Sequence, residues 1–344
     1  MISRRKFILK SAIAIGSTAL NLKFPAIAKS ETKKENILTA VGDVCLGFDG
    51  HHIEPILNNM EEKEAFEYPF LNVKRYFEGI RFCNLEGTLT NFSKRIPKGF
   101  NFKADPKYVN CLKYFDVVTL ANNHTMDFCR EGLEETISTL DKANIKHFGA
   151  SANLNEARKE AYIEDNLKFC FLGYSLIGPE AVFAKEQKEG TAGSYKPDDI
   201  LNFIEEDFAR VKYNSDILVV SFHWGIEGSH YPNNVQKMLA RYSIDIGADV
   251  VLGHHPHVLQ GIEEYRKGLI FYSLGNFMFS GNRNPSDKDS IIAKIRLSKN
   301  GILDYKVMPV KITSIEKPYQ PYVLEGREKE KALNKLKMYS KIWD

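Results

Sequence analysis

Residues 217–257 read ILVVSFHWGIEGSHYPNNVQKMLARYSIDIGADVVLGHHPH. Two apolar runs, Ile217 to Phe222 and Val250 to Leu252, flank an amphipathic stretch, Val235 to Ile246. Short apolar runs bounded by polar residues read as buried strands, and apolar residues three and four apart read as a helix. The stretch is therefore a strand–helix–strand unit of an α/β protein. Each strand stops at imidazoles: His223 after the first, and His254, His255 and His257 around Pro256 after the second. Ligands of open α/β sheets bind outside the carboxyl ends of the strands.

The same grammar extends toward the N-terminus. Ile37 to Val41 ends at Gly42-Asp43, Arg81 to Leu85 at Glu86, and Asp116 to Leu120 at Asn122-Asn123-His124. Helical spacing occurs in Phe70 to Phe77, Pro106 to Tyr114 and Arg130 to Ala143. Lys168 to Tyr174 reads as a strand and Asp198 to Lys212 as a helix. Toward the C-terminus, Val258 to Glu263, Leu269 to Ser273 and Ile291 to Leu297 read as strands joined by short loops, antiparallel in part, which makes the sheet mixed. Gly178 to Tyr195, rich in Gly, Lys and Glu and without periodicity, reads as a mobile flap near the site. One domain is expected over residues 37–315, with a flexible lead-in at 29–36 and a C-terminal extension, 316–344, carrying a helix from Glu328.

The strand-end residues form one ligand inventory: carboxylates at Asp43 and Glu86, an amide at Asn123, imidazoles at His223, His255 and His257. Such a set can be shared between two divalent ions, which predicts a dinuclear metallohydrolase. Singly, each residue has a plainer use. Asp43 could cap a helix, Glu86 could pair with a lysine, Asn122-Asn123 makes a good turn, and a lone histidine is usually structural. Three imidazoles around one proline, directly after an apolar strand, have few structural uses. Trp224 reads as packing, Glu227 as a support to His223, and Asn276 as either a turn residue or a substrate or metal contact.

The composition, 43% hydrophobic and 26% charged over 344 residues, is that of a globular chain. Ser3-Arg4-Arg5-Lys6-Phe7-Ile8-Leu9, a moderately apolar run and Ala26-Ile27-Ala28 form a twin-arginine signal peptide over residues 1–28. This predicts export to the periplasm or the outer face of the cytoplasmic membrane. The signal's five basic residues and lack of acids account for the chain's positive charge, and without them +3 becomes −2. No basic surface for nucleic acid is expected. Five cysteines without a C-x-x-C read as buried free thiols.

The ordered series Gly42-Asp43-Val44-Cys45-Leu46-Gly47, Asn84-Leu85-Glu86-Gly87-Thr88-Leu89, Ala121-Asn122-Asn123-His124-Thr125-Met126-Asp127, His223-Trp224-Gly225-Ile226-Glu227, Gly253 to Gln260 and Ser273-Leu274-Gly275-Asn276-Phe277 resembles the CapA family of poly-γ-glutamate capsule biosynthesis proteins, within the calcineurin-like metallophosphoesterase superfamily. The resemblance implies a four-layer sandwich of two mixed β-sheets flanked by helices. It implies Asp43 as ligand of a first metal, Glu86 as the bridge, Asn123 and His223 on a second metal, and His255 and His257 serving both. His124 would stabilise charge on phosphate or protonate the leaving group, with Asp127 holding its imidazole cationic, and His254 would lie behind the ligands or face substrate. Two positions depart from the superfamily: Cys45 stands where a histidine is usual, and Glu86 where an aspartate is.

The function implied is an exported hydrolase of phosphoesterase type, using one or two ions of Mn, Fe or Zn and acting on an anionic polymer or phosphoester, with a membrane-bound capsule synthesis complex as a possible partner. A metal-dependent amidase cutting γ-glutamyl linkages, and a non-catalytic accessory subunit of a polymer synthesis or export complex, are the alternatives. Lys94, Arg95 and Lys98 could line a groove for a polyanion, though a solvated loop is the plainer reading.

Overall fold

The computed structural model describes residues 35–48, 53–282 and 284–341, together with the backbone of 22–23. The rest of the signal peptide, most of the lead-in and the last three residues of the C-terminal extension lie outside the described residues.

Two mixed sheets pack face to face. The first is built on β1 (Glu35–Cys45), β2 (Ile80–Leu85), β3 (Val117–Thr119) and β4 (Lys146–Phe148), all parallel neighbours in that order. The second runs from β5 (Ala161–Glu164) through β6 (Lys168–Ser175), β7 (Ile217–His223) and β8 (Val250–His254) to β10 (Gly268–Phe271) and β9 (Ile262–Tyr265), with only its two outer pairs antiparallel. On the other side of β1 the first sheet splits. β11 (Asn276–Phe279) runs parallel to its last residues, and β12 (Asp289–Ser298) runs antiparallel to its first ones. β13 (Gly301–Lys311) pairs with β12.

The strand period of two sorts the side chains into layers. Leu38, Ala40, Ile80, Phe82 and Val117 meet Phe169, Phe171, Val219, Leu252 and Phe271 between the sheets. On the outer face of the first sheet, Cys83, Leu85 and Val118 meet Leu133 and Leu140 of α1 (Cys129–Lys142). On the outer face of the second, Leu172, Val220 and Val251 meet Ile200, Ile204 and Phe208 of α2 (Pro197–Val211) and Leu239 and Ile244 of α3 (Asn234–Ile246). The expected four-layer sandwich is the observed fold.

Several local expectations are corrected. Pro106–Tyr114 is a 3-10 helix, and in place of a helix over Phe70 to Phe77 there are two short 3-10 turns, Tyr68–Phe70 and Lys74–Tyr76. The strand expected at Val258 to Glu263 starts only at Ile262, because Val258 and Leu259 turn beneath the site. Gly178 to Tyr195 is no flap: Val182, Phe183, Ala184 and Ala192 are buried, and Gly190–Thr191 pairs with Ala150–Ser151. The C-terminal helix α4 (Gly326–Tyr339) inserts Leu336 into the core between the sheets and stacks Tyr339 on His230. Among the described residues no helix is long and apolar enough to cross a membrane, and the five cysteines form no disulfide.

Candidate metal centre

Two rows of polar residues, one per sheet, meet at the carboxyl ends of the strands. In the first sheet Asn276, Asp43 and Asn84 lie in register on β11, β1 and β2. In the second, Ser175, His223 and His254 lie in register on β6, β7 and β8. The register of β1 against β2 shifts between Ala40 and Asp43. At that shift, a Cβ on Gly42 would stand 1.8 Å from the Gly275 carbonyl oxygen, so only glycine lets β11 approach. The Asp43 N–H donates to that same oxygen at 2.9 Å. His254 ties the rows together, its Nδ1 standing 2.8 Å from Asp43 Oδ1.

The sequence-expected ligands converge. Ligand atoms of Asp43, Glu86 and His257 lie within 4.8 Å of one another. His223 Nε2 stands 2.7 Å from Asn123 Oδ1, and the His223 and His255 rings are 4.9 Å apart. His255 and His257 both take positive φ, 94° and 59°, a conformation that costs non-glycine residues about 1–3 kcal/mol and collects at functional sites. Asn276 Oδ1 stands 2.9 Å from His257 Nδ1 and accepts from it. Trp224 is packing, fully buried with its indole N–H donating to the Tyr272 carbonyl. The Cys45 thiol is buried and donates to the Gly47 carbonyl, and burial pushes its pKa far up.

The test of whether the residues fit a metal is Glu86. Its side chain is fully buried, and Oε1 has no hydrogen-bond partner among the described residues. Three imidazole Nε2 atoms surround that oxygen without touching it: His257 at 3.8 Å, His124 at 3.9 Å and His223 at 4.0 Å. These gaps are too long for hydrogen bonds. Two donors each about 2.0–2.2 Å from one ion stand at most ~4.4 Å apart, and the gaps from His257 and His223 fit that span. Carboxylate, amide and imidazole donors suit manganese, iron or zinc. The residues fit the group.

Electrostatics agree. Burial drives the Glu86 carboxyl well above the ordinary range, and the Asp43 charge adds to it. Asp43 is held well below that range, because hydrogen bonds from His254 and His257 outweigh its burial. Burial lowers His223 strongly, and lowers His255 to about 3 with the His257 charge behind it. His257 is the exception: burial opposes its charge, yet the Glu86 and Asp43 carboxylates push it up to about 10. The centre demands positive charge, and without a metal a proton on His257 supplies it.

His124 and Asp127 pair as expected, Nδ1 to Oδ2 at 2.7 Å. Burial lowers the His124 pKa, and Asp127 acts against it in the direction expected of a residue that favours the cation. Three residues escaped the sequence reading as parts of the site. Asn84 donates to Asp43 Oδ1 at 2.9 Å, and Asn122 donates to Asn84 Oδ1 at 3.0 Å while its own Oδ1 accepts the His124 N–H. Lys98, read as a solvated loop residue, turns inward to Asp127, the Asn123 carbonyl and His124. One carboxylate oxygen of Glu227 and one ring nitrogen each of His255 and His257 lie within 4.8 Å of one another.

The family profile described as "Bacterial capsule synthesis protein PGA_cap" matches residues 37–281. The capsule biosynthesis protein CapA of Bacillus anthracis is 32% identical over 297 residues, covering 83% of this chain and 70% of that one. The PGA biosynthesis protein CapA of Bacillus subtilis is 32% identical over 295 residues, covering 83% and 74%. Among solved structures, a 5'-nucleotidase from Candida albicans aligns at a TM-score of 0.45 and 10% identity, over 88% of this chain and 57% of that one.

Proposed function

The chain belongs to the PGA_cap family of bacterial capsule synthesis proteins, and from that premise we propose that it is a metal-dependent hydrolase of the phosphoesterase type. We place its activity in the making of poly-γ-glutamate or another envelope polymer, outside the cytoplasmic membrane; the twin-arginine stretch at Ser3 to Leu9 supports export. The observation that carries the reading is Glu86 Oε1, buried and unpartnered, facing three imidazole nitrogens beside Asp43.

Asp43, Glu86 and His257 would hold one ion, and Asn123, His223 and His255 a second beside Glu86. A divalent cation there polarises a phosphoryl oxygen and lowers the pKa of water enough for attack at neutral pH. The chain's residues supply the rest. His254 and Asn84 fix the Asp43 carboxylate from two sides, and Asn276 fixes the His257 ring. Asp127 accepts from His124 Nδ1, which selects the tautomer whose Nε2 faces the Glu86 side of the site. Burial lowers the His124 pKa; a phosphate anion beside Nε2 would favour uptake of a proton from solvent, which His124 would then pass to the leaving oxygen.

Turnover of a generic aryl phosphodiester by the purified chain tests this. Hydrolysis should require added Mn²⁺, stop with chelator and be lost in His255→Ala. Bound manganese with no phosphodiester turnover, together with release of glutamate from a γ-glutamyl polymer, would contradict it and favour the amidase.

A further inference from the structure

We propose that Glu227 is a metal ligand, adding a carboxylate to the ion held by His255. The inference rests on the metal-centre reading above and extends it to a residue outside the strand-end set.

The loop after β7 is laid along the segment that carries the imidazoles. Trp224 N–H donates to the His254 carbonyl at 3.1 Å, Gly228 N–H to the Pro256 carbonyl at 2.9 Å, and Gln260 Nε2 to the Ser229 carbonyl at 2.8 Å. Gly225 and Gly228 take φ of 91° and 74°, so the chain bends on both sides of Glu227. One carboxylate oxygen of Glu227 and one ring nitrogen each of His255 and His257 then lie within 4.8 Å of one another. His255 supplies an independent observation: it is 5% exposed, and its Nδ1 has no hydrogen-bond partner among the described residues. Leaving such a buried nitrogen unpartnered costs about 1–3 kcal/mol.

The plainer reading makes Glu227 a solvated acid, as exposed glutamates usually are. Solvation does not explain why the loop is pinned at three backbone carbonyls with the acid opposite two imidazoles in strained conformations. A ligand role does. Donors ~2.0–2.2 Å from an ion lie at most ~4.4 Å apart, and rotation of an exposed glutamate closes the difference.

Mn²⁺ titration of metal-stripped protein, read by the electron paramagnetic resonance signal of the free ion, tests the proposal without reference to turnover. Wild type should bind two ions per chain. Glu227→Gln should bind the first as wild type does and the second at least about tenfold more weakly, with an unchanged melting curve in chelator because the residue is exposed. Two ions bound by Glu227→Gln with wild-type affinities would overturn the inference, whether or not that variant turns over substrate, and would leave the proposed function standing. A wild-type chain that takes up no Mn²⁺ would overturn the metal-centre reading and this inference together.

Discussion

Asp207 and Glu86 are both carboxylates with fully buried side chains, and their surroundings are opposite. Asp207, on α2, receives Arg158 Nε and Nη2, Arg210 Nη1 and the Tyr174 hydroxyl, at 2.7 to 3.1 Å. Each of its oxygens has two donors. Glu86 has Asn84 Nδ2 at 3.5 Å on one oxygen and nothing on the other. A fold that can satisfy a buried acid so fully on the outer side of one sheet leaves another open where the two sheets meet. A buried charge is tolerated only when it is paired. In the proposed reading, the metal ions would complete the second cluster.

The largest expected difference between the clusters is catalytic. Asp43→Ala should lower kcat/KM for an aryl phosphodiester by at least about 10³-fold, or ~4 kcal/mol of barrier. Asp207→Ala should stay close to wild type per folded molecule. Stability should show the reverse: Asp207→Ala removes the buried acid that Arg158 and Arg210 share and should cost about 3 kcal/mol in urea unfolding. A cost near zero would mean that the existing pairs of Arg158 with Glu206 and Arg210 with Glu160 suffice and that the comparison is drawn too sharply.

The proton on His257 gives a pH test. Metal binding must displace that proton, and the imidazole's pKa stands near 10, above neutral pH. Mn²⁺ affinity should therefore rise with pH between pH 6 and 9, by at least about tenfold or ~1.4 kcal/mol per unit, with protons released from His257 and from the Glu86 carboxyl, whose hold on a proton burial also strengthens. An affinity flat over that range would remove His257 from the ligand set. The smallest effect belongs to Glu86→Gln in chelator. Removing a carboxylate that burial disfavours should leave the metal-free fold within about 1 kcal/mol of wild type, or more stable, while abolishing the rise in melting temperature that Mn²⁺ gives the wild type.

What the sequence made legible follows from where apolar runs stop. Asp43, Glu86, Asn123, His223 and His255 each close an apolar run, so the α/β class and the convergence of these residues could be read from pattern alone. Asn84 and Asn122 were hidden because a buried amide beside a strand end looks like any turn residue, and its value lies in partners supplied by other strands. Lys98 was hidden for the opposite reason: a basic residue in a polar loop looks solvated, and only Asp127, brought to it by the fold, draws it in. The flap expected at Gly178 to Tyr195 failed because its burial rests on a few residues, Val182 and Phe183 chief among them, too sparse for a periodic signal. β13 also passed unread, its apolar residues interleaved with Asp304 and Lys306.

Anomalous diffraction from crystals grown with Mn²⁺ tests the central claim most directly. The account predicts a peak coordinated by Asp43, Glu86 and His257, and a second beside Glu86 within reach of His223 and His255. Saturated crystals with no anomalous density among these side chains, and Glu86 Oε1 bonded instead to a protein donor, would contradict it.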